Sequence, residues 1–451
     1  MSTQTLETAI KAAGNPVEFL RNRFARPHTF PVQPEFSNWR SEQAAWRNSC
    51  ALLDQSHHMW DLFVSGPDAL KLFSKLGINN FSRFQPNVAK QLVCVNSEGY
   101  VIGDGILFYL GENEFDFVGG PATTVDWVRY NAITGGYDVT LELDENSIDR
   151  QGPPKLYRYE LQGPHALKVM EQATGGPVPE SKFFHMTEFT IAGYKVRALR
   201  HGMAGQPGFE LFGPWEDGAA VRAELLECGE PFGILPVGSR AYSTANLESA
   251  WVPSPPPAIF TGEEMTGFRE WCDANRAGSI GGSLHSADIR DYYTTPHDLG
   301  YGGLIDLDHE FIGREALARA GQPRRQKVTL VWNHSDVADA IGTQFGLEQS
   351  AKFIEWPKAR YSLFQADEVM ADGRRVGVSF DCGYVYNEKS FFSLATVEND
   401  YAAPGTEVTV LWGEQPNSAK PTVEPHVQVE LRATVAPAPY VDFARGDYRK
   451  S

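Results

Sequence analysis

The feature that most constrains the fold is a local pattern that occurs twice, LFVSGPDALKL at residues 62–72 and YELQGPHALKV at residues 159–169. Each copy begins with an alternating apolar stretch, the period of a half-buried strand. It then turns at Gly-Pro and continues with apolar residues at helical spacing. Backbone chemistry sets this order. Gly66 and Gly163 permit a tight turn, and Pro67 and Pro164 suit a first helical position, where an amide hydrogen has no partner. A weaker instance is LFGPWEDGAAVRAELL at 211–226. Recurrence of a strand–turn–helix unit predicts a duplicated α+β scaffold rather than a parallel dinucleotide-binding sheet. The competing reading is a common turn that arose twice independently.

Strand-like runs lie between the copies at QLVCV (91–95), GILFYL (105–110) and EFDFVGG (114–120), and TTVDWVRYNA (123–132) reads as a helix. Beyond about residue 325 the texture changes. KVTLVWN, VGVSF, FFSLATV, TEVTVLW and VQVELRATV are short, β-branched and separated by turn formers, which predicts a small all-β sandwich or barrel. The expected organisation is therefore an α+β region over 1–325 and an all-β domain over 326–451. An insertion at about 252–300, opening VPSPPPAIF, is rich in Pro, Gly, Ser and Tyr, with a helix expected at GEEMTGFREWCDANR. It reads either as an ordered cover over a pocket or as a disordered loop. A length of 451 residues suits two or three packed units.

Several classes are excluded. A net charge of −17 argues against a general nucleic-acid or anionic-membrane binder, since both partners require a basic footprint. The five cysteines are scattered with no CxxC, so neither a disulfide framework nor a zinc knuckle is expected. The first residues have no signal-peptide core, and no apolar run approaches the ~20 residues of a membrane helix, so a cytoplasmic location is expected. There is no G-x-G-x-x-G after a strand, no P-loop, no HExxH and no G-x-S-x-G elbow.

A few residues remain as candidates for chemistry. His57 and His58 form the single adjacent histidine pair; in a strand they face opposite sides and do not readily share a metal, and no metal site is expected. Asp104 in GYVIGDGILF is flanked by glycines that admit a ligand or another backbone, and reads either as a site carboxylate or as a turn-stabilising one. Strand alternation puts Glu210 of QPGFELFG on the face opposite Phe209 and Leu211, either solvated or buried with a partner. A pterin, with an amino group and a ring N–H as parallel donors, is one such partner. Tyr242 and Trp251 frame AYSTANLESAW and share a helical face if that segment is helical to its end, a spacing equally suited to core packing.

DQSHHMWDLFVSGPDALKLF, NSEGYVIGDGIL, PGFELFG, PVGSRAYSTANLESA and LGYGGLIDLDHEFIGREALAR occur in the order seen in the aminomethyltransferase (glycine-cleavage T-protein) family. The chain resembles that family from about residue 40 to the C-terminal barrel. The resemblance implies two intertwined α+β units around a central folate channel, followed by a β-barrel, with tetrahydrofolate as cofactor. NWRSEQAAWRNSCALLDQSHHM and RAYSTANLESAW make the chain most similar to tetrahydrofolate-dependent aryl O-demethylases that act on vanillate, syringate or 3-O-methylgallate. That resemblance implies that Glu210 holds the pterin ring, Asp104 contributes to cofactor binding, and Tyr242 is catalytic. It also implies that Gln55, His58 and Trp251 line the substrate site.

Implied with these roles is transfer of an aryl methyl group to N5 of tetrahydrofolate, with the leaving phenolate assisted by a tyrosine whose ordinary pKa of ~10 matches that of a phenol. Two departures stand out. The Asp-Asp pair of aminomethyltransferases is reduced to Asp104. Gly120 stands where the vanillate-type enzymes carry an arginine for the aryl carboxylate, with Arg197, Arg200 and Arg240 as possible replacements. The rival readings are folate-dependent transfer from a small N- or S-methyl or aminomethyl donor, and a folate-binding regulatory protein without turnover. No protein partner is called for.

Overall fold

Both copies of the repeated pattern fold into the same unit in a computed structural model, which describes residues 4–23, 30–346 and 348–450. The first unit runs through strand Trp60–Ser65, helix Ala69–Leu76, strands Ala89–Val95, Val101–Gly111 and Glu114–Gly119, helix Ala122–Thr134 and strand Thr140–Asp144. The second repeats that order with Leu156–Gln162, Ala166–Thr174, Met186–Ile191, Tyr194–His201, Gly208–Pro214, Trp215–Gly229 and Ile234–Val237. The Gly-Pro turns match in detail, with each proline one residue before the helix cap, Asp68 or His165, rather than at the first helical position. Gly66 has φ 134° and Gly163 has φ 128°, a region that L side chains rarely adopt. A β-carbon would lie 2.5 Å from the Asp138 carbonyl oxygen at Gly66 and 2.6 Å from that of Ser49 at Gly163. The segment 211–226 does form a strand entering a helix. It is the last such step of the second unit, the counterpart of Glu114–Gly119 leading into Ala122–Thr134, and not the start of another unit.

The units are intertwined through one exchanged strand. In the first sheet the order is Ala89–Val95, Val101–Gly111, Glu114–Gly119, Trp60–Ser65, Thr140–Asp144. In the second it is Met186–Ile191, Tyr194–His201, Gly208–Pro214, Leu156–Gln162, then Cys50–Asp54, with Ile234–Val237 outermost. The antiparallel place that Thr140–Asp144 takes beside Trp60–Ser65 is taken beside Leu156–Gln162 by Cys50–Asp54, from ahead of the first unit. Residues 55–59 then cross between the sheets.

Alternation decides what each face buries. Tyr157, Tyr159, Leu161, Phe209 and Leu211 pack on Val169, Met170, Val221 and Leu225 of the two covering helices. Leu62, Val64, Phe115 and Phe117 pack on Leu72 and Phe73. The other faces turn toward each other, where Ala89, Phe108 and Val118 meet Met186, Leu199 and Phe212. Polar side chains in the middle of these strands are thus held between two sheets.

Six strands, Arg325–Trp332, Ser390–Glu398, Arg374–Val385, Asp367–Ala371, Glu407–Trp412 and Val429–Ala436, close into a barrel around Leu330, Trp332, Val410, Trp412 and Leu431. Segment 252–300 is ordered, with a shorter helix than its sequence suggests, Thr266–Trp271, and a 3₁₀ turn at Ala274–Arg276. Its Phe260, Phe268, Leu284, Tyr292 and Tyr293 are buried in one core with the first sheet. Ala258 N–H donates to the Val101 carbonyl at 3.0 Å, and Val101 N–H to that of Thr294 at 2.8 Å. Among the described residues no helix is long and apolar enough to cross a membrane.

Candidate active site

Carboxylates cluster between the two sheets because strand alternation points them there. Glu210 is buried, not solvated, and pairs in register with Glu160 on the neighbouring strand. Its Oε1 accepts from Arg158 Nη1 at 3.0 Å. Burial raises the Glu210 pKa, against the lowering charges of Arg158 and His201. The His201 Nδ1 lies 3.1 Å from Glu160 Oε1 and 3.9 Å from Glu210 Oε2. Burial alone would lower the His201 pKa, but the Glu160 charge and hydrogen bonds hold it above the ordinary value. Ligand atoms of Glu160, His201 and Glu210 lie within 4.8 Å of one another, the spacing of a possible cation site. Here positive charge comes from Arg158, and Glu160 also accepts from the Met203 amide at 3.2 Å and from Gln162 Nε2.

Tyr242 ends the short helix Ser239–Tyr242. Its hydroxyl is 2.7 Å from His58 Nε2, and the two rings meet edge to face with centroids 4.8 Å apart. The phenol is not poised near the ordinary tyrosine value of ~10. Desolvation, with the nearby charges of Glu160, Glu210 and Asp54, pushes its pKa well above that value, although the ring as a whole is only half-buried. Gln55 is buried in the crossing segment. Its Nε2 lies 3.2 Å from Met203 Sδ, while its Oε1 has no hydrogen-bond partner among the described residues. The histidine pair occupies that turn rather than a strand, and its members part: His57 Nδ1 pairs with Ser147 Oγ at 2.9 Å and packs on Trp215. Burial lowers the His57 pKa.

Trp251 does not share a helical face with Tyr242. The chain breaks at Ser243–Thr244, a second helix covers only Ala245–Ser249, and Ala250 turns left-handed at φ 56°. The reason is length: two helices of one turn each cannot hold a common face over nine residues. The indole instead reaches the first sheet, where its Nε1 donates to Asp104 Oδ2 at 3.0 Å. Asp104 sits in mid-strand, not in a turn, and the same oxygen accepts from Tyr301 Oη at 2.8 Å and from Gln91 Nε2. Its Oδ1 has no partner among the described residues, and burial raises its pKa despite these donors. The flanking glycines serve close packing. A β-carbon at Gly105 would press on the Val118 carbonyl, and one at Gly103 on Thr124 Oγ1. Lys327, whose Nζ donates to the Ala250 carbonyl at 2.8 Å, is depressed by burial to about 8.

Gly120 follows strand Glu114–Gly119, and a β-carbon there would meet no atom within 4 Å. The three arginines considered as replacements for a cation at Gly120 are already engaged. Arg197 donates to the Leu110 carbonyl and to Glu188, and Arg240 to Glu35 and the Trp356 carbonyl. Arg200 pairs in register with Phe209, on the helix-covered face. Residues that the sequence reading passed over carry much of the site: Arg158, Asp61, Asp116, Glu160, His201, Tyr301 and Gln91. A visible signal for the first two was a charged residue near the start of each repeated strand, WDLFVSGP and YRYELQGP.

Two intertwined α+β units with carboxylates between them, followed by a barrel, define a T-protein-like class of protein. The glycine cleavage system aminomethyltransferase T of Bartonella henselae shares this fold, with a TM-score of 0.61 at 19% identity, covering 94% of this chain and 96% of that one. The chain belongs to the GCVT, or aminomethyltransferase, family: residues 7–253 match the GCVT N-terminal domain. It is 47% identical over 456 residues to a syringate O-demethylase of Sphingobium sp., covering 99% of this chain and 98% of the relative. It is 31% identical over 409 residues to a sesamin methylene transferase of Sinomonas sp., covering 85% and 84%.

Proposed function

We propose that this protein is a tetrahydrofolate-dependent O-demethylase that takes the methyl group from an aromatic methyl ether of the vanillate, syringate or 3-O-methylgallate type. The observation that carries the reading is the Tyr242 hydroxyl, held by His58 at 2.7 Å in surroundings made negative by Glu160, Glu210 and Asp54. Full-length similarity to a syringate O-demethylase supports it.

The residues present suit a reduced pterin. Such a ring brings N–H donors, and buried acceptors await donors here: Asp104 Oδ1 and Gln55 Oε1 have no partners among the described residues. Glu210 also retains an oxygen that Arg158 does not hold. Bound tetrahydrofolate would supply a nucleophilic N5 that accepts the methyl group and gives up its own proton, which balances the phenolate released.

The side chains do the rest. Glu210 orients the ring through paired hydrogen bonds, with Asp104 as a second acceptor. Tyr242 donates a hydrogen bond to the ether oxygen as the C–O bond breaks and the electron pair moves onto oxygen. Because its pKa lies well above that of a simple phenol, Tyr242 keeps its proton through the reaction and stabilises the phenolate as a donor rather than as a full acid. His58 fixes the hydroxyl direction, and Gln55, Trp251 and Gly120 bound the substrate space.

The test is turnover with tetrahydrofolate and each of syringate, vanillate, 3-O-methylgallate and guaiacol. The expected result is phenol release strictly dependent on tetrahydrofolate, with 5-methyltetrahydrofolate formed in equal amount. No phenol from any of the four rules the proposal out.

A further inference from the structure

The offset between Gly66 and Gly163 carries Asp61 onto Arg158, so these residues hold equivalent places in the two units. They face each other across the space between the sheets and are bonded: Arg158 Nε donates to Asp61 Oδ1 at 2.9 Å. A second equivalence follows from register. Asp116 pairs with Phe63 in the first sheet and Glu210 with Glu160 in the second, and the same offset relates Phe63 to Glu160. Arg158 binds both members of this pair as well, through Nη2 to Asp116 Oδ2 and Nη1 to Glu210 Oε1. Duplication has thus placed four residues about a local two-fold relation, and one of them, Arg158, is a cation.

Arg158 is 1% exposed, lies over the rings of Phe108 and Phe212 at 5.0 and 4.9 Å, and contacts three carboxylates from both sheets. A guanidinium suits this task because its donors leave one plane in fixed directions, which an ammonium cannot reproduce. Anchored on the first sheet by Asp61 and Asp116, it presents an N–H of its remaining nitrogen, Nη1, to Glu210. That bond fixes Oε1 and with it the plane of the carboxylate.

We propose that Arg158 is a positioning residue that aims the Glu210 carboxylate at the cofactor and ties that aim to the first unit through Asp61 and Asp116. The proposal rests on the reading of Glu210 as the pterin-holding carboxylate. Burial and the neighbouring carboxylate of Asp61 keep the Asp116 pKa well above its ordinary value, against the lowering charge of Arg158.

A double-mutant cycle on the full chain tests this, with tetrahydrofolate affinity by calorimetry, methoxyarene KM, and thermal stability without ligand. Arg158→Lys keeps the charge and loses the fork; it is expected to weaken tetrahydrofolate binding ~10-fold while the KM for the arene changes less than ~3-fold. Glu210→Gln is expected to weaken it ~100-fold, and the double variant to bind no worse than Glu210→Gln alone, because Arg158 acts through that carboxylate. Additive losses, or an Arg158→Lys variant with unchanged tetrahydrofolate affinity, overturn the proposal while leaving Glu210 in its role. Unchanged affinity in Glu210→Gln removes the reading on which the proposal stands. If Arg158→Lys does not fold, Asp61→Asn takes its place in the cycle, since it slackens the same guanidinium without touching Glu210, and the same outcomes decide.

Discussion

Replacing Tyr242 by Phe separates stability from chemistry, because the lost hydroxyl has two side-chain partners, His58 at 2.7 Å and Gln55. The ring keeps its edge-to-face contact with His58 at 4.8 Å, and only the hydroxyl's hydrogen bonds, to His58 at 2.7 Å and to Gln55, disappear. Hydrogen bonds at a half-buried position contribute ~1 kcal/mol net each, and the loss of two in a chain of this size lowers Tm by no more than ~4 °C. Loss of the donor to the departing oxygen is a different quantity. Preorganised donors that assist in this way contribute ~10²–10³-fold, or ~3–4 kcal/mol in the transition state. The expected variant is therefore folded at 25 °C, binds tetrahydrofolate as the wild type does, and releases phenol at least ~100-fold more slowly in single-turnover quench experiments. A pH profile adds a second condition. With the Tyr242 pKa raised well above its ordinary value, the wild-type rate should show no loss from tyrosine ionisation up to about pH 10. Phenol release within ~3-fold of wild type in the Phe variant would refute the role of the hydroxyl. A basic limb below pH ~10 that vanishes in the variant would refute the account of its surroundings.

Other consequences are checked more simply. Gly66→Ala and Gly163→Ala each force a β-carbon against a carbonyl oxygen at positive φ, so each should cost ~2 kcal/mol or more by denaturant unfolding, and by similar amounts because the turns are equivalent. Gly120→Ala meets open space. It should leave Tm within ~1 °C yet change the methoxyarene KM, and an unchanged KM would take Gly120 out of the substrate wall. Lys327 has a folded pKa of about 8, below its unfolded value, so its contribution to stability is complete above the unfolded pKa and is lost as pH falls through the folded one. Lys327→Met should therefore be more stable relative to wild type at pH 7 than at pH 10, by up to ~3 kcal/mol; Lys420, also near 8, is common to both proteins and cancels. A relative stability independent of pH would contradict the burial of that ammonium.

Much of the architecture was legible because it is local. Gly-Pro turns, strand alternation and the β-branched tail are set by neighbours within a few residues, and the helix expected over 123–132 is found at Ala122–Thr134. The third Gly-Pro segment shows the limit: its local form was readable, but its place as the closing step of the second unit depends on register with Leu156–Gln162. Glu210 shows the same division. Alternation put it opposite Phe209 and Leu211, but a strand cannot say whether its polar face meets water or another sheet.

The sequence by itself determined a duplicated α+β scaffold, its turns and the residue types available for chemistry, since these depend on spacing along the chain. Only the tertiary structure decided which charges meet. Arg158 reaches Asp61, Asp116 and Glu210 because Cys50–Asp54 is exchanged between units and the two sheets turn their polar faces inward. Trp251 reaches Asp104 rather than Tyr242 because the helix between them stops short. Pairings of this kind join residues far apart in sequence, and a buried carboxylate's charge state follows from desolvation and partners that no local pattern encodes.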